Sequence, residues 1–471
     1  MSVIASIAAS TRPIGRMHSP SRHHASRIAA LAWPILIGQL AVIAYGVIDT
    51  AMTSRYSATD LAALAIGTSV YVSTFVGLNG ILQALSPIVS QLYGARRFDE
   101  VGVEIKQGTW LALFLSIVGC TMLAFPEPLL SVARTSADLH EKTSLYLRIL
   151  SFALPASLGF RIYASLNTAI ARPKMVMALQ IGGLLLKIPL NALFIFGGFG
   201  IPALGGPGCA LATTIISWLM LAVGWFILRT DSSYRVFRIF GSGFVAPRWP
   251  AQRTLLRLGI PMGLSYLIEV TAFTFMALFI ARLGATALAG HQITANFATV
   301  LYMLPLSIAN ATSTLVAQSV GARNFETAQR IGSVGIGLAA VLSVSVGCLV
   351  WVMRDVIVRA YTPNEIIVAS AMPLFVFIAF YQLFDSVQVS TAYVLRAYRV
   401  ATVPTLMYAI ALWGIGLGGG YILGLDPFGI SPPALHGAAG FWFGNSASLG
   451  LVAAGLLWYL RRVQRAAARR P

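Results

Sequence analysis

Seven ionisable side chains stand inside long apolar stretches of the sequence: Asp49, Arg148, Arg161 and Lys187 in the first half, Glu269, His291 and Asp385 in the second. A charge at the centre of a bilayer costs about 2.5–3.5 kcal/mol on insertion scales, so each such group needs a partner or a task. At helical spacing, Tyr381, Asp385 and Gln388 share one face, Gln292, Asn296 and Thr299 share another, and Tyr266 and Glu269 lie one turn apart. If these three polar stripes converge, Glu269 and Asp385 form a carboxylate pair in a partly dry cavity. Lost hydration and mutual repulsion then favour uptake of a proton or a sodium ion between them. The competing reading, in which each acid only caps an interhelical hydrogen-bond network, explains less well why two acids stand on separate helices at similar depth.

In the first half, Lys187 and Asn191 are one turn apart, with Gln180 two turns earlier on the same face. Asp49 lies within a turn of its helix end, where it can either snorkel to water or take a partner such as Lys187; Lys187 can alternatively answer a backbone carbonyl or another acid. His291 could relay protons, but a lone histidine beside Gly290 is more often a satisfied interhelical donor. Arg148 and Arg161 are expected to be structural or to reach the cytoplasm.

The elements that must carry these groups are membrane helices. Of the 471 residues 57% are hydrophobic and only 10% charged, and the mean hydropathy is +0.78, more apolar surface than a water-soluble core of this size hides. Apolar windows between charge, Pro and Gly breaks place helices near 28–53, 61–85, 108–126, 144–166, 175–198 and 208–229, then near 256–283, 287–316, 331–353, 368–393, 402–424 and 437–460. Pro34, Pro155, Pro189, Pro261, Pro305 and Pro373 fall inside apolar runs and permit bends. The chain then divides into a cytoplasmic tail (1–27), an N-lobe of six helices (28–229), a cytoplasmic linker (230–255), a C-lobe of six helices (256–460) and a basic cytoplasmic tail (461–471). Arg12, Arg16, Arg22 and Arg27 resemble the basic region of a signal peptide, but the run that follows is long and contains Gln39 and Asp49, so a retained first helix is expected.

The net charge of +18 is spread between apolar runs rather than over one basic face, which argues against a nucleic-acid partner. Arg96, Arg97, Lys106, Arg172, Lys174, six arginines from Arg229 to Arg257, Arg323, Arg330, Arg396 and Arg399 fall in the even-numbered loops, and five arginines follow Leu460. The odd-numbered loops hold Arg55, Arg134, Lys142, Arg282, Arg354 and Arg359. This bias places both termini in the cytoplasm of a bacterial inner-membrane protein. The second half also slides onto the first without a gap. One constant shift superposes Leu31, Pro34 and Arg55 on Leu258, Pro261 and Arg282, and Gln91, Gly94, Ala95, Arg96 and Phe98 on Gln318, Gly321, Ala322, Arg323 and Phe325. Two parallel six-helix repeats, with a substrate path between them, follow from that match.

No phosphate-binding glycine loop, His-Glu metal spacing or nucleophile elbow is present, so neither an enzyme nor a resident cofactor is expected. Cys120, Cys209 and Cys348 are isolated and are assigned to packing. Energy would come from an ion gradient, where a unit charge gains about 2.3 kcal/mol per 100 mV. An acidic cavity suits exchange of Na+ or H+ for small cationic drugs and dyes. Both halves lie in one chain, so a monomer suffices. The competing function is a flippase for a lipid-linked precursor; it needs a basic cleft, for which Lys187 and Arg161 speak and against which Glu269 and Asp385 speak.

Several segments resemble the multidrug and toxic compound extrusion (MATE) family, specifically its NorM-like branch: Gly46-Val47-Ile48-Asp49-Thr50-Ala51-Met52, Gln91-Leu92-Tyr93-Gly94-Ala95 with Arg96, Ile188-Pro189-Leu190-Asn191, Leu204-Gly205-Gly206-Pro207-Gly208-Cys209, Ile268-Glu269-Val270-Thr271 and Asp385-Ser386-Val387-Gln388. The resemblance covers nearly the whole chain. It implies an all-α membrane fold of twelve transmembrane helices in two pseudo-symmetric six-helix bundles forming a V, with alternating access and multidrug export by antiport. It also implies a coupling-cation site at Tyr381, Glu269 and Asp385, Na+ being held by the two acids, and a first-lobe acid at Asp49 with Asn191 as its neighbour. One turn before Asn191, where relatives commonly carry asparagine, this chain has Lys187. A fixed ammonium there would compete with a cation and form a salt bridge that protonation breaks.

Overall fold

The computed structural model describes residues 20–127, 136–241, 243, 245–429 and 431–469. Arg12, Arg16, Arg134 and Arg470 of the charge pattern lie outside the described residues. Among the described residues, twelve helices are long and apolar enough to cross a membrane: α1 (Ser21–Ser54), α2 (Ala58–Gly94), α3 (Phe98–Ala124), α4 (Ala137–Ala169), α5 (Pro173–Phe196), α6 (Gly206–Thr230), α7 (Trp249–Ala281), α8 (Ala285–Gly321), α9 (Phe325–Val352), α10 (Glu365–Ala397), α11 (Thr402–Leu425) and α12 (Ala438–Ala468). The protein is a multi-pass α-helical membrane protein.

The helices are longer than their apolar windows, because charge and proline at a helix end do not break it. α1 takes up the expected tail from Ser21 onward, and α12 runs on through Arg461, Arg462 and Arg465 to Ala468; cationic side chains suit a helix C-terminus. α3 starts at Phe98, well before its apolar window, with Asp99 and Glu100 in the first turn, where acids are favourable. α5 and α7 open with Pro173 and Pro250 in the first turn, where the missing N–H has no helical partner to lose. α2 continues past the expected end near residue 85 by turning at Gln83: Pro87 cannot donate to the Gln83 carbonyl, and Ser86 N–H takes that carbonyl at 3.2 Å. Pro34, Pro155, Pro189, Pro261 and Pro305 lie within helices, whereas Pro373 sits between the segments Glu365–Ala371 and Phe375–Ala397 of α10. α11 is wound as a π-helix over Ala409–Gly418.

Two hydrophobic cores correspond to the two repeats. The first gathers side chains of α2, α3 and α4 but also Leu255, Leu258 and Met262 from the start of α7. The second gathers α8 to α12 and also Ile28 and Ala32 from the start of α1. The opening turns of each repeat are thus inserted in the other repeat's core; Ile28 and Leu255, which the repeat shift superposes, are both almost fully buried. Beyond this crossover, Tyr45 on α1 donates to the Gln180 carbonyl of α5 at 2.8 Å, keeping the rest of α1 in its own half.

The connections at the end of the even-numbered loops are tied down. Gln91 Nε2 donates to the Ala397 carbonyl at 2.7 Å, and its repeat partner Gln318 donates to the Ala169 carbonyl at 2.7 Å, each bond joining the two halves. The linker contains a short 3-10 turn, Ser232–Phe237. Its Tyr234 hydroxyl donates to Asn167 Oδ1 at 2.7 Å, and Phe237 packs on Tyr93 and Phe98. Asp231 caps the turn by accepting from Ser233 N–H at 2.8 Å; that bond and nearby Arg172 hold its carboxyl below the usual range. At the opposite end, buried Asp60 accepts from Gly206 N–H at 2.8 Å and from Lys142 Nζ at 2.9 Å, joining α2, α4 and α6.

Candidate functional site

Between the halves lies a cavity of about 720 Å³. Its first-half wall comes from α1, α2, α4 and α5, with Asn79, Gln83 and Ser86 at i, i+4 and i+7 on α2, Arg161 on α4 and Gln180 on α5. Its second-half wall comes from α7, α8, α10, α11 and α12 and includes Tyr266, Glu269, Thr299, Tyr302, Tyr381, Asp385 and Gln388. The two acids therefore do face one space. Asp385 is 3% exposed; Gln388 Nε2 donates to its Oδ1 at 3.0 Å and lies within reach of Glu269. Asp385 Oδ2 and Gln388 Oε1 are buried without a hydrogen-bond partner among the described residues. Tyr381 stands one turn before Asp385 and is held edge-on by Trp442 and Phe273, at centroid separations of 5.6 and 6.2 Å. Two carboxylates, an amide oxygen and a phenol on one cavity wall are a donor set for a hard cation or a proton.

Towards the even-numbered loops the cavity ends in a polar floor that joins the halves. Tyr266 donates to Gln83 Oε1 at 2.9 Å, Tyr393 lies 3.3 Å from the same oxygen, and the two hydroxyls are bonded to each other. Arg396, 6% exposed, donates through Nη1 to the Tyr266 hydroxyl at 3.0 Å. Its guanidinium stacks over the Tyr266 and Tyr393 rings at 5.1 and 4.3 Å.

A second polar cluster is buried inside the first half, away from the cavity lining. Lys187 Nζ lies 3.0 Å from Asp49 Oδ1, Asn191 Nδ2 donates to the same oxygen at 2.7 Å, and Lys187 also donates to Thr213 Oγ1. Lys187 is 1% exposed and Asn191 fully buried. Of the two roles open to Asp49, partnership rather than snorkelling is what the geometry shows. On α11, the positions that the repeat shift matches to Lys187 and Asn191 are Gly414 and Gly418 in the π-helical stretch, so the second half has no counterpart of this cluster.

Other expected positions fall differently. Thr299 lines the cavity, but Asn296 and Gln292, one and nearly two turns away on α8, are exposed and bonded to each other at 3.1 Å. His291 is buried against Trp442 with Nδ1 unpartnered, so it is not the satisfied interhelical donor expected of it. Arg148 pairs with Glu127 at 3.1 Å on the odd-loop side, opposite the termini, and Arg161 lines the cavity; neither reaches the end where the termini lie. Asn79, Gln83, Ser86, Tyr393 and Arg396 were missed. The first three repeat the polar spacing that marks α8, and Gln83 matches the cavity residue Asn310 under the repeat shift, so both signals were present in the sequence.

A profile of the MatE family matches residues 34–193 and 261–422, two segments that open on the repeat-matched prolines Pro34 and Pro261. The probable multidrug resistance protein NorM of Aromatoleum aromaticum is 41% identical over 441 residues, covering 94% of this chain and 95% of the relative. The multidrug resistance protein NorM of Vibrio vulnificus is 37% identical, covering 92% and 94%. The multidrug resistance protein MdtK of Photorhabdus laumondii is 36% identical, covering 93% and 94%. Among solved structures, a eukaryotic MATE transporter superposes with a TM-score of 0.84 at 20% identity, over 96% of this chain and 100% of that one. A transporter of the MOP superfamily from Pyrococcus furiosus superposes with a TM-score of 0.85 at 17% identity, over 97% and 100%. The two solved structures share this fold, and by its sequence the chain belongs to the MatE family.

Proposed function

We propose that the protein is a secondary active multidrug exporter that moves cationic lipophilic compounds out of the cell in exchange for Na+ or H+. The observation that carries this reading is the placement of Glu269 and Asp385 on separate helices of one cavity that is tied shut at one end by bonds between the halves. The names of the NorM and MdtK relatives support it. With the arginine-rich loops and both termini in the cytoplasm of a bacterial inner membrane, the tied end is the cytoplasmic one and the cavity belongs to an outward-facing state.

Exchange follows from competition for the carboxylates. A coupling cation or proton neutralises them in the outward state, and an organic cation is released because the charge that held it is gone; in the inward state the order reverses. Asp385 Oδ2, Gln388 Oε1 and the Tyr381 phenol are the other oxygens available to a sodium ion. In the first half, the Lys187 ammonium already occupies the place beside Asp49 that a coupling cation would take, so coupling is assigned to the second half.

Ethidium uptake into energised inverted vesicles tests this. Uptake driven by an imposed pH or sodium gradient supports the exporter, and the effective gradient names the ion. Absence of uptake with either gradient would overturn the reading and favour the flippase of a lipid-linked precursor.

A further inference from the structure

We propose that a groove on the outer face of the α2–α7 seam holds one acyl chain of a membrane phospholipid, drawn from the leaflet on the side of the odd-numbered loops. The inference stands on the membrane fold and is independent of what the central cavity carries.

α2 and α7 meet backbone to backbone. A Cβ on Gly80 would come within 2.7 Å of Gly263 Cα, one on Gly263 within 2.7 Å of the Gly77 carbonyl oxygen, and one on Gly259 within 2.3 Å of the Ile81 carbonyl oxygen. On the inner side of this seam Val76, Asn79 and Tyr266 face the central cavity. On its outer side lies a separate hollow of about 520 Å³, lined by α2 from Ser69 to Ile81, by α7 from Ile260 to Leu267 and by Met122 of α3. The two spaces share no lining residue, so the hollow is not an entrance to the cavity. Under the repeat shift Gly77 and Gly263 match Leu304 and Leu36. The equivalent seam between α8 and α1 thus carries large side chains where this one is bare.

Charge and position identify the occupant. Among the described residues no ionisable side chain lines the hollow. Its hydroxyls are spent within α2, Ser73 donating to the Ser69 carbonyl at 2.8 Å and Thr74 to the Val70 carbonyl at 3.0 Å. Water therefore finds few partners there. Ile260, Leu264 and Met122 are exposed on membrane-spanning helices, so the hollow is continuous with the surface that meets lipid. From Ser69 to Ile81 it runs about 18 Å along α2, a little over half of a hydrocarbon core of about 30 Å and hence the depth of one leaflet. The Gly259–Ile81 contact closes its lower end. Ser69 and Met122 lie towards the start of α2 and the end of α3, on the side of the odd-numbered loops, and a chain enters from there. Lipid tails are as apolar as this lining, so close packing along a preformed trough holds the chain in place. Its walls come from both halves, and a bound chain stabilises the arrangement in which they form.

Photolabelling in nanodiscs tests the site, with phosphatidylcholine that carries a diazirine in one acyl chain as the probe and peptide mapping as the readout. In wild type, labelling of segments 69–81 and 260–267 should exceed that around Phe114, an exposed position on α3 outside the groove, by about threefold or more. Leu264→Trp fills the trough and should lower groove labelling about fivefold or more, with labelling around Phe114 unchanged; Ser73→Phe, which fills it from the other wall, should do the same. Phosphatidylcholine returned to delipidated protein should raise the unfolding temperature of wild type more than that of either filled variant. Even labelling over the groove and Phe114 in wild type means ordinary boundary lipid and overturns the proposal, whether or not the variants fold. Unchanged groove labelling in a folded filled variant, or equal thermal gains in all three proteins, overturns it as well. A disulfide-linked dimer of Ser73→Cys in native membranes, with the wild-type groove unlabelled, would make a second copy the occupant and overturn it too.

Discussion

Gly94 and Gly321, equivalent positions of the two repeats, are reciprocal contacts across the two halves: a Cβ on Gly94 would come within 2.0 Å of the Gln318 carbonyl oxygen, and one on Gly321 within 1.9 Å of the Gln91 carbonyl oxygen. The ends of α2 and α8 thus touch backbone to backbone, beside the bonds from Gln91 to Ala397 and from Gln318 to Ala169. Neither obstacle is a flexible side chain, so a methyl group forces the helices apart. Gly94→Ala and Gly321→Ala should each destabilise the observed state by about 1–3 kcal/mol, as overpacked contacts do. Unfolding temperatures in detergent check this; values equal to wild type in both variants would contradict the close contact.

The Asp49–Lys187 pair gives a second expectation. Lys187→Met leaves the Asp49 carboxylate, 13% exposed, without its ammonium and should cost about 3–5 kcal/mol, most of it recovered when Asp49→Asn is added. A thermal-unfolding cycle over the two single variants and the double one reads the coupling directly. Lys187→Asn, which frees Asp49 for an external cation, should also change the pH dependence of transport. Transport and pH profile both unchanged would show that Asp49, once freed of Lys187, takes up no external cation.

Tyr266 anchors the floor through one hydroxyl, which donates to Gln83 and accepts from Arg396. Tyr266→Phe removes these two bonds and the one to the Tyr393 hydroxyl, and leaves a buried guanidinium donor unsatisfied, at a cost of about 1.5–3 kcal/mol. The floor should loosen. A cysteine placed at Ser86 should then react faster with a membrane-impermeant maleimide supplied from the side of the even-numbered loops. Equal labelling rates with and without Tyr266→Phe would mean that the seal lies elsewhere.

The fold was legible because hydropathy and an ungapped repeat are strong signals. Twelve apolar windows and one constant shift between the halves are written in the sequence, and the matched pairs Ile28 and Leu255, or Gln91 and Gln318, hold equivalent places in the structure. The helix ends were not legible, since Asp99, Glu100 and the arginines after Leu460 lower hydropathy while stabilising the helix termini they occupy. At the site, spacing brought Glu269, Asp385, Tyr381 and Gln388 together because each lies on a helix face too polar for lipid. Spacing could not place Gln292 and Asn296, since a face that lines the cavity at Thr299 is exposed two turns away. Nor could it place Arg161, whose neighbours Tyr266 and Tyr393 come from the other half of the chain.

The most direct test of the central claim, that Glu269 and Asp385 carry the coupling, is gradient-driven ethidium accumulation in inverted vesicles for wild type, Asp385→Asn and Glu269→Gln. The account predicts accumulation in wild type and a loss of about tenfold or more in each variant at equal protein levels, since a neutral amide cannot exchange one cation for another. Accumulation at the wild-type level in both variants would contradict it and would move the coupling site to Asp49.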